Sequence, residues 1–272
     1  MRVYGIFGDP ISHSLSPVMH NAALAALGIE ACYHAFRVPR GRLRDALVGA
    51  EAMGFGGLNL TIPLKEIALQ IVQADELAEA IGAVNTISFD GRMRGHNTDG
   101  EGSLLSLQAA GVQIKGAKIV LIGAGGAARA IAYALSREGA EISIANRNVK
   151  RAEGLAESIG GSAFGLKDLT MLVPRADVVI NATSVGLKEG DPSLVPARLL
   201  KMGQVVFDIV YTRETELLKD AGEAGALALD GVMMLVYQGA IALEIWTGRK
   251  APVDVMEQAV RASLRGGEGS RG

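Results

Sequence analysis

Lys118-Ile119-Val120-Leu121-Ile122-Gly123-Ala124-Gly125-Gly126-Ala127-Ala128 is the stretch on which the fold turns. Its first half is a short apolar run with the length of a buried strand, and the residues that follow Ala127 carry a helical pattern. Between them lies G-x-G-x-x-A. Gly123 permits a tight turn, Gly125 lets the backbone approach a pyrophosphate, and Ala128 is small enough for the helix to pack close to a sheet. The helix N-terminus then offers unpaired N–H groups and a partial positive charge to phosphates. In a chain with 35 glycines such a run is also compatible with an ordinary loop, but strand directly before and helix directly after are the context the motif requires. Gly123, Ala124, Gly125, Gly126 and Ala127 are therefore a candidate dinucleotide cradle.

Downstream, strands are expected over 141–145, 177–181 and 205–209, with helices over 127–137, 149–159 and 214–221. Strict alternation of this kind predicts a parallel, doubly wound, Rossmann-like sheet. The end of the second strand reports on the cofactor. An NAD site usually places Asp or Glu about 20 residues beyond the first glycine, where it accepts from the ribose 2′-OH. Here the chain reads Asn146-Arg147-Asn148 and then Lys150-Arg151, and Glu141 lies at the wrong end of the strand. Arg147 can pair with a 2′-phosphate and stack on adenine, and Asn146 and Asn148 can hydrogen-bond it. Lys150 and Arg151 either extend that basic site or form a solvated helix face. NADP is the expected cofactor.

Upstream, from Arg2 to Asn97, short apolar strands mix with helical stretches. A first strand opens the chain and a helix is expected over 17–27, with Ser16 as N-cap, Pro17 in the first turn and Gly28 as stop. Further strands are expected over 31–37, 57–60, 84–89 and 93–95, the last two joined at Asp90-Gly91. This half reads as an α/β domain with some antiparallel edge. A helix over 102–110 leads into the glycine-loop unit. Two helices, over 232–247 and 253–264, close the chain before a polar tail over 265–272 that is expected to fray.

Composition narrows the function classes. The chain has 272 residues, 49% of them hydrophobic, enough for a substantial core. With 27 Lys and Arg against 29 Asp and Glu, no global field favours nucleic acid or an anionic membrane, and any anion recognition must be local. Cys32 is the only cysteine, so an internal disulfide and a thiolate metal site are excluded; a reducing cytoplasm is the expected location. The N-terminal apolar run is too short for a signal peptide, and no later run approaches the roughly 18 residues of a membrane span. His13, His20, His34 and His96 show no convergent ligand pattern, so no metal is expected. Trp246 is read as packing.

The first half concentrates small polar residues at element ends: Ser14, Ser16, Asn59, Thr61, Lys65, Asn85 and Asn97-Thr98-Asp99. Taken singly these are ordinary caps and turn residues. Together, neutral hydrogen-bonding groups with one lysine and one acid suit a small substrate with several hydroxyls.

The ordered set Ser14-Leu15-Ser16-Pro17, Asn59-Leu60-Thr61-Ile62-Pro63-Leu64-Lys65, Gly82-Ala83-Val84-Asn85-Thr86, Asn97-Thr98-Asp99-Gly100, Asn181-Ala182-Thr183-Ser184-Val185-Gly186 and Gln238-Gly239-Ala240 resembles the shikimate dehydrogenase family along nearly the whole chain. That resemblance implies substrate contacts from Ser14, Ser16, Asn59, Thr61, Asn85, Asp99, Tyr211 and Gln238. Thr183, Ser184, Ile209 and Gly231 would serve the cofactor, the last two near its nicotinamide end. Ile209 stands where relatives often carry Met or Leu. The family architecture further implies a substrate domain over 1–99 completed by helices over 239–272, an NADP domain over 100–238, and an active site in a cleft that a hinge could close.

The same resemblance implies a reaction. Hydride from NADPH would reduce the ring ketone of 3-dehydroshikimate in aromatic amino-acid biosynthesis, with Lys65 as proton donor and Asp99 as its partner. An ordinary lysine is an ammonium at neutral pH, so the donor is available. Two alternatives stay open: a quinate/shikimate dehydrogenase of broader use, and a noncatalytic NADP-binding sensor. The expected partner is the small-molecule substrate; a homodimer is compatible with the sequence and not required by it.

Overall fold

The computed structural model describes residues 1–268, and the chain divides into two compact units, Met1–Gly102 with the chain from Leu235 onward, and Ser103–Met234. The first unit holds strands β1 (Arg2–Gly8), β2 (Ala31–Arg37), β3 (Gly57–Leu60), β4 (Gln73–Ala74), β5 (Thr86–Phe89) and β6 (Met93–His96). Its helices are α1 (Ser16–Ala26), α2 (Leu43–Ala52), α3 (Lys65–Ala68) and α4 (Glu76–Ile81). The sheet runs β2-β1-β3-β5-β6-β4, parallel at β1/β2 and β1/β3 and antiparallel at β3/β5 and β5/β6. The β5–β6 hairpin closes through Asp90-Gly91-Arg92, with Gly91 at φ +85° supplying the left-handed residue such a loop needs.

Helix α5 (Asp99–Ala109) leads into the second unit. There β7 (Lys118–Ile122), α6 (Gly126–Arg137), β8 (Glu141–Ala145), α7 (Val149–Ile159), β9 (Ser162–Phe164), α8 (Leu169–Leu172), β10 (Val178–Asn181), β11 (Val205–Asp208), α9 (Glu216–Glu223) and β12 (Leu227–Leu229) follow in order. All strands pair in parallel in the order β12-β11-β10-β7-β8-β9, the doubly wound arrangement of dinucleotide-binding sheets. The reason lies in strand composition. Ile119 and Leu121 enter one apolar cluster, while Val120 and Ile122 enter another on the opposite face. A strand apolar on both sides must be covered on both sides, which parallel crossovers with helices achieve. Helices α10 (Val232–Thr247) and α11 (Val253–Glu268) end the described chain.

Several boundaries depart from sequence expectation. Ser16 is not the cap of α1 but its first residue; the preceding Leu15 offers no side-chain cap, and Ser14 Oγ accepts from the Ser16 amide at 3.3 Å. Helix α5 starts at Asp99, because Asn97 Oδ1 takes the Asp99 amide at 3.1 Å and holds the first turn open to helix. Thr215 caps α9 by accepting from Leu218 N, so that helix begins at Glu216. Helix α11 continues past Leu264 to Glu268, where fraying was expected; 269–272, the rest of that tail, lies outside the described residues.

Candidate active site

In the first unit Lys65, Asp99, Asn85 and Asn59 belong to one hydrogen-bond network. Lys65 opens α3 and Asp99 opens α5; Lys65 Nζ donates to Asp99 Oδ2 at 2.7 Å, with side-chain exposures of 16% and 5%. The other carboxylate oxygen, Oδ1, accepts from Asn85 Nδ2 at 2.8 Å. Asn85 is itself oriented without ambiguity, since its Oδ1 accepts from the Thr98 backbone amide at 2.8 Å and its Nδ2 also reaches Thr98 Oγ1 at 2.9 Å. Gln238 Oε1 lies 3.4 Å from the same Nδ2. Asp99 is thus clamped at both oxygens, and the ammonium is held by a buried acid.

Asn59 lies one layer further in. Its Nδ2 donates to Asn85 O at 3.3 Å and to Thr86 Oγ1 at 3.0 Å, and its Oδ1 accepts from Tyr33 OH at 2.7 Å. Both amide hydrogens are therefore committed within the protein. Ser14 and Thr61 are half-buried and Ser16 is buried, on loop and helix start; no described hydrogen bond ties them to the Lys65 network. Tyr211 belongs to the second unit, in the loop after β11.

His20 packs behind this network. It is fully buried, stacked on Tyr33 with ring centroids 4.3 Å apart, and neither ring nitrogen has a hydrogen-bond partner. Burial lowers its pKa to about 3, opposed weakly by the neighbouring Asn59 side chain, so the imidazole is neutral. His96 is engaged elsewhere, its Nδ1 2.8 Å from Asp75 Oδ2 and its Nε2 3.2 Å from Ser88 Oγ. Among the described residues no group of three His, Cys, Asp or Glu side chains could hold a metal.

In the second unit the glycine loop follows β7, at the point where strand order reverses between β7 and β10. Gly123 has φ +120°, and a Cβ there would meet Ala182 O at 2.8 Å, so both conformation and the adjacent strand end demand glycine. Gly125 is different. It caps α6 at φ −91°, ψ −174°, open to any residue, and an added Cβ would meet no protein atom within 4 Å. Neither strain nor internal packing explains its identity, whereas the close approach of a pyrophosphate does. Ala128 is fully buried against the core beneath, as helix–sheet packing requires. The residues present fit a dinucleotide.

Arg147, Asn148, Lys150 and Arg151 are exposed after β8, with Asn146 Nδ2 donating to Asn148 O at 2.9 Å. Thr183 is fixed by Asn181, whose Oδ1 accepts from Thr183 N and Oγ1 at 3.0 and 2.7 Å; Ser184 is exposed beside it. Gly231 lies against Ile209, where a Cβ would strike the Ile209 carbonyl.

Sequence reasoning missed Asp208. It is buried at the end of β11 and accepts from Asn181 Nδ2 at 2.9 Å, Thr215 Oγ1 at 2.7 Å and Val210 N at 3.1 Å. Burial raises its pKa, and those three hydrogen bonds oppose the shift. It sets the amide of Asn181 and through it Thr183. Only strand register, Asn181 opposite Asp208, brings the pair together, and no local motif announces that. Tyr33 escaped notice because its hydrogen bond to Asn59 spans 26 positions and two strands that do not pair.

Family comparison agrees along the chain. Residues 6–87 match the shikimate dehydrogenase substrate binding domain, 105–219 the shikimate/quinate 5-dehydrogenase domain and 231–261 the shikimate 5′-dehydrogenase C-terminal domain. A shikimate dehydrogenase (NADP(+)) of Methanothrix thermoacetophila is 63% identical over 264 residues, covering 97% of this chain and 98% of its own. Among solved structures, shikimate dehydrogenase from Aquifex aeolicus superposes with a TM-score of 0.92 at 40% identity, covering 96% of this chain and 98% of that one. The Thermus thermophilus enzyme in complex with NADP(H) and shikimate gives a TM-score of 0.89 at 40% identity, covering 96% and 99%.

Proposed function

The chain belongs to the shikimate dehydrogenase family, and from that premise we propose that it is an NADP-dependent shikimate dehydrogenase, reversibly reducing 3-dehydroshikimate to shikimate. The observation that carries the reading is the Lys65–Asp99 pair at 2.7 Å, largely buried and clamped by Asn85, in a chain that also holds a dinucleotide loop.

NADPH, when bound, supplies the hydride. Carbonyl reduction leaves an alkoxide that must be protonated as it forms, and Lys65 is the donor. Its ammonium offers three hydrogens, of which Asp99 takes one. Asp99 keeps the chain of the lysine from sampling other rotamers, and Asn85 keeps Asp99 from turning away. In the reverse direction Lys65, deprotonated, takes the hydroxyl proton. Ser14 and Ser16 hold the substrate carboxylate, while Thr61, Tyr211, Gln238 and Asp99 hold its hydroxyls. Asn59 and Asn85 act in large part from within, by keeping that network in register.

Gly123 to Ala127 receive the pyrophosphate, and Asn146, Arg147, Asn148, Lys150 and Arg151 the 2′-phosphate. Thr183, Ser184, Ile209 and Gly231 serve the cofactor, the last two near its nicotinamide end. On this reading the substrate domain comprises 1–99 with the closing helices and the NADP domain 100–238. The enzyme works in the cytosol, with its small-molecule substrate as the partner that matters. No helix among the described residues is long and apolar enough to cross a membrane.

The test is a nicotinamide-absorbance assay of shikimate and quinate, each with NADP and NAD. Fastest turnover with shikimate and NADP is expected. Tight binding of both ligands without turnover would instead mark a noncatalytic binder.

A further inference from the structure

A cation near the start of α6 is left without a partner among the described residues. Arg129 is the fourth residue of that helix, and its side chain enters no hydrogen bond or ion pair there; its Nε is buried and unsatisfied. A desolvated guanidinium N–H without an acceptor is unfavourable, and more so where its neighbours are also positive. They are. The first turn of α6 presents its unpaired amides, the helix dipole adds a partial positive charge there, the turn contains no acidic residue, and its N-cap is a glycine with no side chain to accept. A protein that concentrates positive potential so consistently and supplies no anion of its own is built for one from outside.

Position says which part of a ligand it meets. Residues four apart share one helix face, and helical side chains lean toward the N-terminus, so Arg129 leans over the turn that holds Gly125. That is the glycine whose missing Cβ clears a path to the backbone. The 2′-phosphate region, by contrast, is the separate exposed segment from Asn146 to Arg151 after β8. We propose that Arg129 is a cofactor-binding residue that engages the pyrophosphate of the dinucleotide, a role that rests on the NADP-binding reading above. Its guanidinium reaches from the side while the α6 amides donate along the axis, and the anion satisfies both.

The pyrophosphate is common to NADP and NAD, and the test uses that. Calorimetric dissociation constants for NADP, NAD and inorganic pyrophosphate are measured on wild type, Arg129→Gln and Arg129→Lys. Arg129→Gln is expected to weaken NADP and NAD by the same factor, about 10-fold, the loss of one charge-assisted hydrogen bond. Arg129→Lys, which keeps the charge without the fork, weakens both by a smaller common factor. Inorganic pyrophosphate competes with NADP in wild type and competes less well in Arg129→Gln. In shikimate turnover the KM for NADP rises by a similar factor. The ligand-free Arg129→Gln protein melts no lower than wild type, since no internal partner is lost.

A loss confined to NADP overturns the proposal and assigns Arg129 to the 2′-phosphate. Unchanged affinities in both variants, or a lowered melting point with unchanged affinities, overturn it in favour of a structural role. Wild type that turns over shikimate while Arg129→Gln binds both cofactors normally sinks Arg129 alone. Wild type without turnover, with binding weakened in Arg129→Gln, sinks the enzymatic reading and leaves Arg129 standing.

Discussion

Lys65 separates chemistry from binding at the scale of a single side chain. Replacing it by methionine keeps the stem and removes the proton donor. Loss of a positioned acid or base reduces rate by roughly 10² to 10⁴, so Lys65→Met is expected to lower kcat at least about 100-fold while shikimate affinity changes far less. Steady-state kinetics with a separate binding titration check this, and near-normal turnover in a folded variant would remove Lys65 from the mechanism. Arg147 divides the two cofactors in the same way. It is exposed, so its contact with a 2′-phosphate is partly screened by water; Arg147→Ala should reduce efficiency with NADP about 10-fold and leave the NAD reaction nearly unchanged. Equal losses with both cofactors would assign it to adenine stacking. The residue types of both sites were legible in sequence, since a lysine among neutral polar groups and an arginine where an acid is usual are local facts. That Lys65 touches Asp99, 34 positions away, was legible only through the family resemblance, since no local pattern joins the two.

Between elements, the decisive contact in the first unit is that of α10 with β3 and β5. The Trp246 indole lies on Gly57, where a Cβ would collide with the ring, and its Nε1 donates to Ile87 O at 2.9 Å. Tyr4 stacks on the same ring with centroids 5.1 Å apart. A tryptophan held by a hydrogen bond and a stack cannot swing away cheaply, so Gly57→Ala is expected to destabilise by about 1 to 3 kcal/mol, the usual range for overpacking. Urea denaturation followed by Trp246 fluorescence measures it; an unchanged midpoint would mean that the ring yields. Sequence marked Trp246 as packing but could not pair it with a glycine on another strand. Helix starts show the same division. Ser16-Pro17 reads as cap and first turn, yet the helix begins one residue earlier, because Ser14 takes the Ser16 amide.

Global stability carries the imprint of one buried histidine. Unfolded, His20 takes up a proton below about pH 6.5; folded, burial holds its pKa to about 3. Between those values the unfolded state binds the extra proton, so stability falls as pH falls, by up to about 1.4 kcal/mol per pH unit. The groups packed around the ring, Tyr33, Trp246, Met19 and Asn59, carry no charge that could offset this. His20→Phe keeps an aromatic ring on Tyr33 and removes the titration. Its unfolding free energy should therefore decline less steeply below pH 6.5 than that of wild type, measured by denaturant melts across pH. Parallel curves would show that His20 is protonated or hydrated in the native state.

By itself the sequence determined the two-part α/β character, the glycine loop with strand before and helix after, and the basic end of β8 in place of an acid. These depend on hydrophobic period, on glycine at φ +120°, and on which side chains stand within a few residues of one another, all short-range quantities. Tertiary structure alone decided the clamp on Asp99, where Asn85 and Gln238 meet across 153 positions, and the Asp208–Asn181 pair, which exists only through strand register. It also decided that His20 is neutral and that Arg129 has no partner among the described residues. Burial and hydrogen-bond completion are properties of everything that packs around a group, and a linear pattern contains the group without its surroundings.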